Sequence, residues 1–240
     1  MKIIIAISLF ILVLSILYTK TKRIDSANNI IVTPTMHPKK IFSFLTIGDS
    51  YTYGLGVKHE NNWPNQLIKK LKSQGTNLDL NINPAVSGFT VRDAINIEVP
   101  LLAKEHPDFV IVLIGANDLF QMRLSTDFKK DYQELISLIQ ANLKHPNNVI
   151  LLTIPDHTKT PAYKLFGGDP DNVKQIEEYN SIIKNEAKNK GLFLIDIFPV
   201  SQISTSSAYF IEDGVHPSAL GYEKWVSVIA PKVGEFLRNL

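Results

Sequence analysis

Two stretches of this 240-residue chain run apolar almost without interruption: "DFVIVLIG" at 108–115 and "NVILLTI" at 148–154. A short segment that is apolar on both sides of its pleat has to be covered on both faces, and interior strands of a parallel sheet are covered in that way. Between the two lies "STDFKKDYQELISLIQANL" (125–143), whose apolar residues recur at helical spacing. The pattern repeats along the chain. "IFSFLTI" (41–47), "LDLNIN" (78–83) and "LFLIDI" (192–197) read as further strands. "NNWPNQLIKKLKSQG" (61–75), "TVRDAINIEVPLLAKE" (90–105), "DNVKQIEEYNSIIKNEAKNKG" (171–191) and "SALGYEKWVSVIAPKVGEFLRNL" (218–240) read as helices. Pro100 predicts a boundary or kink in the second of these helices, and Pro231 a bend in the last. Five strands alternating with helices predict an α/β fold, a parallel sheet with helices on both faces.

Composition removes several function classes. Hydrophobic residues make up 45% and charged residues 20%, the balance of a globular domain and not of a disordered chain. The net charge of +2 and the lack of a basic block within the domain argue against nucleic-acid binding. There is no cysteine, so no disulfide, thiol nucleophile or cysteine-ligated zinc. The six histidines form no HxxxH pair, and no metal site is expected. Gly48, Gly54 and Gly56 fit neither a dinucleotide nor a P-loop pattern, and there is no G-x-S-x-G elbow.

Ligands of open parallel sheets bind at the carboxyl ends of the strands. There the sequence places Gly48-Asp49-Ser50, then "NPAVSGFT" (83–90), "GANDLF" (115–120), "PDHTKTPAYKLFGGDP" (155–170) and "EDGVHPSALGY" (212–222). A hydrolytic serine needs a base, a group to orient that base, and donors for the oxyanion. Ser50 sits on a strand-to-helix turn that can leave its Oγ free. His216 can serve as base, and Asp213, three residues earlier, can reach the imidazole. Gly88, without a Cβ, opens its N–H to a ligand, and Asn117 offers a neutral side-chain donor. Each residue alone has a plainer reading. Ser50 can cap the helix that follows it, Gly88 can be a turn glycine, and Asn117-Asp118 can be a strand-end turn. A backbone carbonyl can orient an imidazole in place of Asp213. Asp49 is expected to tie down the Ser50 turn, and Asp118 to be structural.

Taken in order, "TIGDSYTYG", "NPAVSG", "IGANDLF" and "DGVHPSALGY" resemble the four sequence blocks of the GDSL/SGNH hydrolase family, the lysophospholipase-like serine esterases and lipases. The resemblance covers about residues 42–238. It implies a flavodoxin-like three-layer α/β/α sandwich with a five-stranded parallel sheet. It also implies Ser50 as nucleophile, His216 as base, Asp213 as its partner, and an oxyanion hole from Ser50, Gly88 and Asn117. Such enzymes cleave acyl esters and thioesters, often acetyl groups on carbohydrates, and need no cofactor. Two positions depart from the family pattern. Asn83-Pro84-Ala85 stands where an Ala-Gly pair is common, so that turn can differ. Ala116 stands where Gly is frequent, which is tolerable unless the position needs a positive φ.

Substrate is less legible. Tyr51, Phe89 and Phe120 adjoin the blocks and are candidates to line an acyl pocket, with core packing as the alternative. The long segment from Pro155 to Pro170 suits a binding loop or lid. Asp156 and His157 at its start are expected to be surface-polar. At the other end of the chain, Ile3–Tyr18 is an uncharged, almost wholly apolar run of about 24 Å as a helix, against a hydrocarbon core of about 30 Å. Residues 1–19 are therefore read as a signal-anchor or signal peptide, 20–40 as a polar linker and 41–240 as the hydrolase domain. This predicts an exported or membrane-tethered enzyme acting on a small-molecule, lipid or glycan acyl ester in the cell envelope. An acyltransferase and a non-catalytic binding module are the rival readings. Oligomeric state is not legible.

Overall fold

Strand β1 (Ile41–Gly48) leads into a single turn of helix, α1 (Ser50–Tyr53), and then α2 (Trp63–Ser73) carries the chain back to β2 (Asn77–Leu80). The computed structural model describes residues 40–163, 173–203 and 206–240. The N-terminal apolar run and its linker lie outside the described residues, as do Phe166 and the Gly-Gly-Asp-Pro turn. Among the described residues no helix is long and apolar enough to cross a membrane.

After β2 the chain returns through α3 (Val91–Asp93), a π turn (Ala94–Glu98) and α4 (Val99–Glu105) to β3 (Phe109–Leu113). Then follow α5 (Ala116–Phe120), α6 (Ser125–Ala141), β4 (Val149–Leu152), α7 (Val173–Lys190), β5 (Phe193–Ile195), α8 (Phe198–Ile203) and α9 (Ala219–Leu237). All pairs in the sheet are parallel and the order is β2-β1-β3-β4-β5. That order is flavodoxin-like, in keeping with the five-stranded parallel sheet expected above. The connections run outward in opposite directions from β1 and β3, and right-handed crossovers put their helices on opposite faces. Accordingly α2 packs on α9, while α6 packs on α7 and on the α3–α4 helix.

The two apolar runs become β3 and β4, and every residue of both is buried. Phe44 of β1 stacks on Phe109 of β3 with ring centroids 5.3 Å apart, and Phe109 meets Phe236 of α9 at 5.5 Å. The boundary expected near Pro100 is present. Ala94–Glu98 forms a π turn that runs directly into α4 at Val99, one residue before Pro100. Helix α9 runs through Pro231 from Ala219 to Leu237.

Gly115 links β3 to α5 with φ +120°, and a Cβ there would lie 2.8 Å from Phe128 Cε2 and 2.9 Å from Ile154 Cδ1. Ala116 itself is helical, so alanine is compatible with that position. Replacing Gly115 by alanine combines backbone strain with overpacking. The expected loss is about 1–3 kcal/mol, read as a lower urea midpoint at unchanged m-value.

Candidate active site

At the end of β1 the cap of α1 is Asp49, whose Oδ1 accepts the Tyr51 N–H at 3.0 Å. Ser50 is thus the first residue inside the turn, and its side chain is not used for capping. Gly54 closes the turn at φ +87°. The loop before α9 brings His216 across to it. His216 Nε2 lies 2.9 Å from Ser50 Oγ, and His216 Nδ1 lies 2.6 Å from Asp213 Oδ2. Asp213 Oδ1 accepts the backbone N–H of Val215 at 2.8 Å and of His216 at 2.9 Å. Partial burial disfavours the Asp213 carboxylate. The His216 and Val215 N–H groups and the imidazole outweigh that and hold its pKa below the usual carboxylate range.

The other strand ends meet this row from the far side. Gly88 is exposed with φ +89°, and a Cβ there would meet nothing within 4 Å. Its backbone conformation, not crowding within the protein, is what calls for glycine. Asn117 Nδ2 donates to Phe89 O at 2.9 Å, which ties the β3 end to the Gly88 loop. Asp118, fully buried, accepts the Val91 N–H at 2.9 Å through Oδ2 and Arg123 Nη1 at 3.0 Å through Oδ1. Arg123 also bonds Asp131 at 2.6 Å, and Asp131 pairs with Arg92. The turn at Asn83 has its own brace: Asn83 Nδ2 donates to Thr52 O at 2.8 Å, and Asn83 Oδ1 accepts Thr46 Oγ1 at 3.0 Å. The residues of the proposed triad and oxyanion hole are therefore gathered at one sheet edge, with Asp118 and Asn83 holding the loops between them. Among the described residues no group of three or more His, Cys, Asp or Glu side chains is placed to hold a metal ion.

The three candidate pocket residues are placed differently from one another. Tyr51 is buried, its ring 5.6 Å from those of both His216 and Trp225, so it packs against the imidazole at a tilt. Phe89 is half-buried against the core, and Phe120 is 48% exposed. Asp156 and His157 depart from expectation, for both are buried. Asp156 accepts from Thr158 N at 2.9 Å and Gln202 Nε2 at 3.2 Å, while its own N–H donates to Ser201 Oγ. His157 lies between Phe120 and Tyr163, with centroids at 4.6 and 5.1 Å. Nothing local in "PDHTK" announces this burial, because the covering rings come from α5 and the far side of the loop. Between these residues and Tyr51 is a cavity of about 20 Å³, room for one water and not for an acyl chain.

Comparison with known proteins joins this geometry to a family. The pattern describing the GDSL-like lipase/acylhydrolase family matches residues 46–224. The chain belongs to that family. Membership places this GDSL-like protein among the serine ester hydrolases. It is 32% identical over 126 residues to a multidomain esterase of Ruminococcus flavefaciens, covering 51% of this chain and 15% of that much longer protein. It is 25% identical over 174 residues to an arylesterase of Vibrio mimicus, covering 72% and 78% of the two chains. Its fold superposes on the crystal structure of an acetylxylan esterase from Geobacillus stearothermophilus with a TM-score of 0.64 at 19% identity, over 80% of this chain and 94% of that one.

Burial pushes the His157 imidazole down from 6.5 to about 4, against the weaker upward pull of Asp156. A histidine depressed in the folded state takes up its proton more readily when unfolded, so it adds an upward slope of stability with pH between about 4 and 6.5. In NMR titrations the His157 ring is expected to stay neutral at pH 5. A midpoint near 6.5 would mean that the ring is not held in this aromatic pocket.

Proposed function

We propose that this GDSL-like hydrolase cleaves acyl esters through an acyl-enzyme on Ser50. The observation that carries the reading is the continuous row Ser50 Oγ, His216 Nε2, His216 Nδ1 and Asp213 Oδ2, with contacts of 2.9 and 2.6 Å. His216 Nε2 takes the Ser50 proton as Oγ attacks the ester carbonyl. Asp213 holds the Nδ1–H tautomer and steadies the imidazolium. The oxyanion is met by the N–H of Ser50, which as the first residue of a helix has no intrahelical acceptor, by the Gly88 N–H, and by Asn117 Nδ2. Asn117 has two N–H bonds on that atom, and the contact with Phe89 O uses one. His216 returns the proton to the leaving alcohol, then takes one from water to release the acid.

Phe120 and Phe89 border the oxyanion side and are the residues proposed to meet the substrate, while Tyr51 packs against the imidazole. A second reading, carbohydrate O-acetyl esters, draws support from the likeness to an acetylxylan esterase. We place the enzyme in the cell envelope, exported or tethered by the apolar run Ile3–Tyr18. N-terminal sequencing of the protein from membrane and soluble fractions tests this. A full-length chain confined to the soluble cytoplasm would overturn it.

Hydrolysis of p-nitrophenyl esters of graded chain length tests the chemistry. Ser50→Ala is expected to fall to background. Asn117→Ala should lower kcat by about 10²–10³-fold, the usual loss for one oxyanion donor. His216→Ala is expected to lose turnover as Ser50→Ala does, because no base is then left to take the Ser50 proton. Equal turnover by wild type and Ser50→Ala would remove Ser50 from the reaction.

A further inference from the structure

Three buried oxygens without a hydrogen-bond partner surround one glycine beneath the nucleophile. Gly48 ends β1, two residues before Ser50, and its N–H donates to Glu98 Oε2 at 3.0 Å. The other oxygen of that carboxyl, Oε1, has no partner, and neither has Asp49 Oδ2 or Thr52 Oγ1. All three residues are at most 1% exposed. Thr52 lies so close that a Cβ on Gly48 would be 2.3 Å from its Oγ1. Glu98 is the last residue of the π turn Ala94–Glu98, and such turns re-aim the side chains they carry.

A carboxylate only accepts hydrogen bonds, whereas a protonated carboxyl brings one donor. With both Glu98 and Asp49 ionised, two negative charges would be buried near one another, each with a single backbone N–H and one oxygen left without a donor, which is costly. Among the described residues no cation pairs with either carboxyl. Asp49 from the turn and Asp93 from its own helix act on Glu98, and Asp118 from α5 acts on Asp49. On the α6 side Asp131 is engaged by Arg92 and Arg123, and those arginines turn to Asp131, Glu134 and Asp118.

We propose that Glu98 is a positioning residue for Ser50 that works as a neutral carboxylic acid, accepting the Gly48 N–H through one oxygen and giving its proton to Asp49 through the other. This rests on the Ser50 reading above. The Glu98 proton joins the end of β1, the Asp49 cap and the first turn of α1 into one unit, which holds Ser50 Oγ in line with His216. Burial supports the assignment, raising Glu98 from 4.5 to about 9 and Asp49 from 3.8 to about 7. The folded state then keeps a Glu98 proton that the unfolded chain releases above about 4.5. Stability from this group is full below that pH and is lost as pH rises toward 9. Asp49 contributes in the same sense only up to about 7, so the window from 7 to 9 belongs to Glu98. Ionisation of Glu98 places a second charge beside Asp49, removes the proton between the two carboxyls and lowers kcat.

The test compares full-length wild type with Glu98→Gln, which keeps an acceptor for Gly48 and a donor for Asp49 but cannot ionise. With p-nitrophenyl acetate, corrected for spontaneous hydrolysis, the wild-type kcat is expected to drop at least tenfold between pH 8 and pH 10 while KM stays within twofold. The Glu98→Gln kcat should change less than twofold over that range. Parallel alkaline falls in the two proteins, or a flat wild-type profile, would overturn the proposal. Infrared spectra of protein labelled with 13C-glutamate provide a readout that needs no turnover. A protonated-carboxyl band is expected in wild type at pH 7, absent at pH 10 and absent from Glu98→Gln. Its absence at pH 7 would overturn the assignment even if esters are hydrolysed, and its presence in a protein that hydrolyses none would count against the Ser50 reading alone.

Discussion

Hydrogen bonding between β1 and β3, in register from Phe44↔Phe109 to Gly48↔Leu113, sets the two segments that leave those strands side by side. One segment is Asp49-Ser50 and the other runs through Gly115 to Asn117. Because β2 lies on the outer side of β1, the Gly88 loop returns over the same edge on its way to β3. The chain thus reverses its direction of winding between β1 and β3, and such a switch point leaves a crevice beyond the strand ends with no helix crossing it. The row from Ser50 to Asp213 and the donors facing it depend on this pairing. Ser50 and His216 lie 166 positions apart and meet through no local interaction.

A crevice built from loops needs bracing, and buried and half-buried polar groups supply it. Asn117 and Asp118 hold the 88–91 loop from the β3 side, and Asn83 holds its start from the β1 side. The buried Asp118 carboxylate would be costly alone. Its backbone donor at Val91 and the Arg123 fork make it tenable, and Arg123 passes the load to Asp131 and so to α6. Removing one member strands the others, so the bracing behaves as a unit. Met122, with φ +53°, precedes Arg123 where the chain turns to let the guanidinium reach inward.

Carboxyl groups near Ser50 live in two environments. Asp213 is partly exposed, has two backbone donors and an imidazole, and stays ionised. Glu98 and Asp49 are sealed from water, paired with no cation among the described residues, and favour the protonated form. In the proposed reaction this keeps charge beside His216, where it would stabilise an imidazolium, and off the groups next to Ser50, where it would oppose a developing oxyanion.

Much of this was legible from residue order. Unbroken apolar runs announced β3 and β4, amphipathic spacing announced α2, α6 and α7, and short polar blocks at strand ends pointed to Ser50, Gly88, Asn117, Asp213 and His216. Those signals are local: periodicity and turn chemistry reveal themselves over a few residues. The burial of Asp156 and His157, the π turn that aims Glu98 at Gly48, and the route from Asp118 through Arg123 to Asp131 are not local. "PDHTK" and "AINIE" read as ordinary polar and helical sequence, and their meaning comes from Phe120, Tyr163 and the end of β1, which only the assembled sheet brings near. The sequence by itself determined the order of elements and the chemical types at the sheet edge. The tertiary structure decided which polar groups lose water and therefore which carry a proton, because desolvation is set by neighbours distant in the chain.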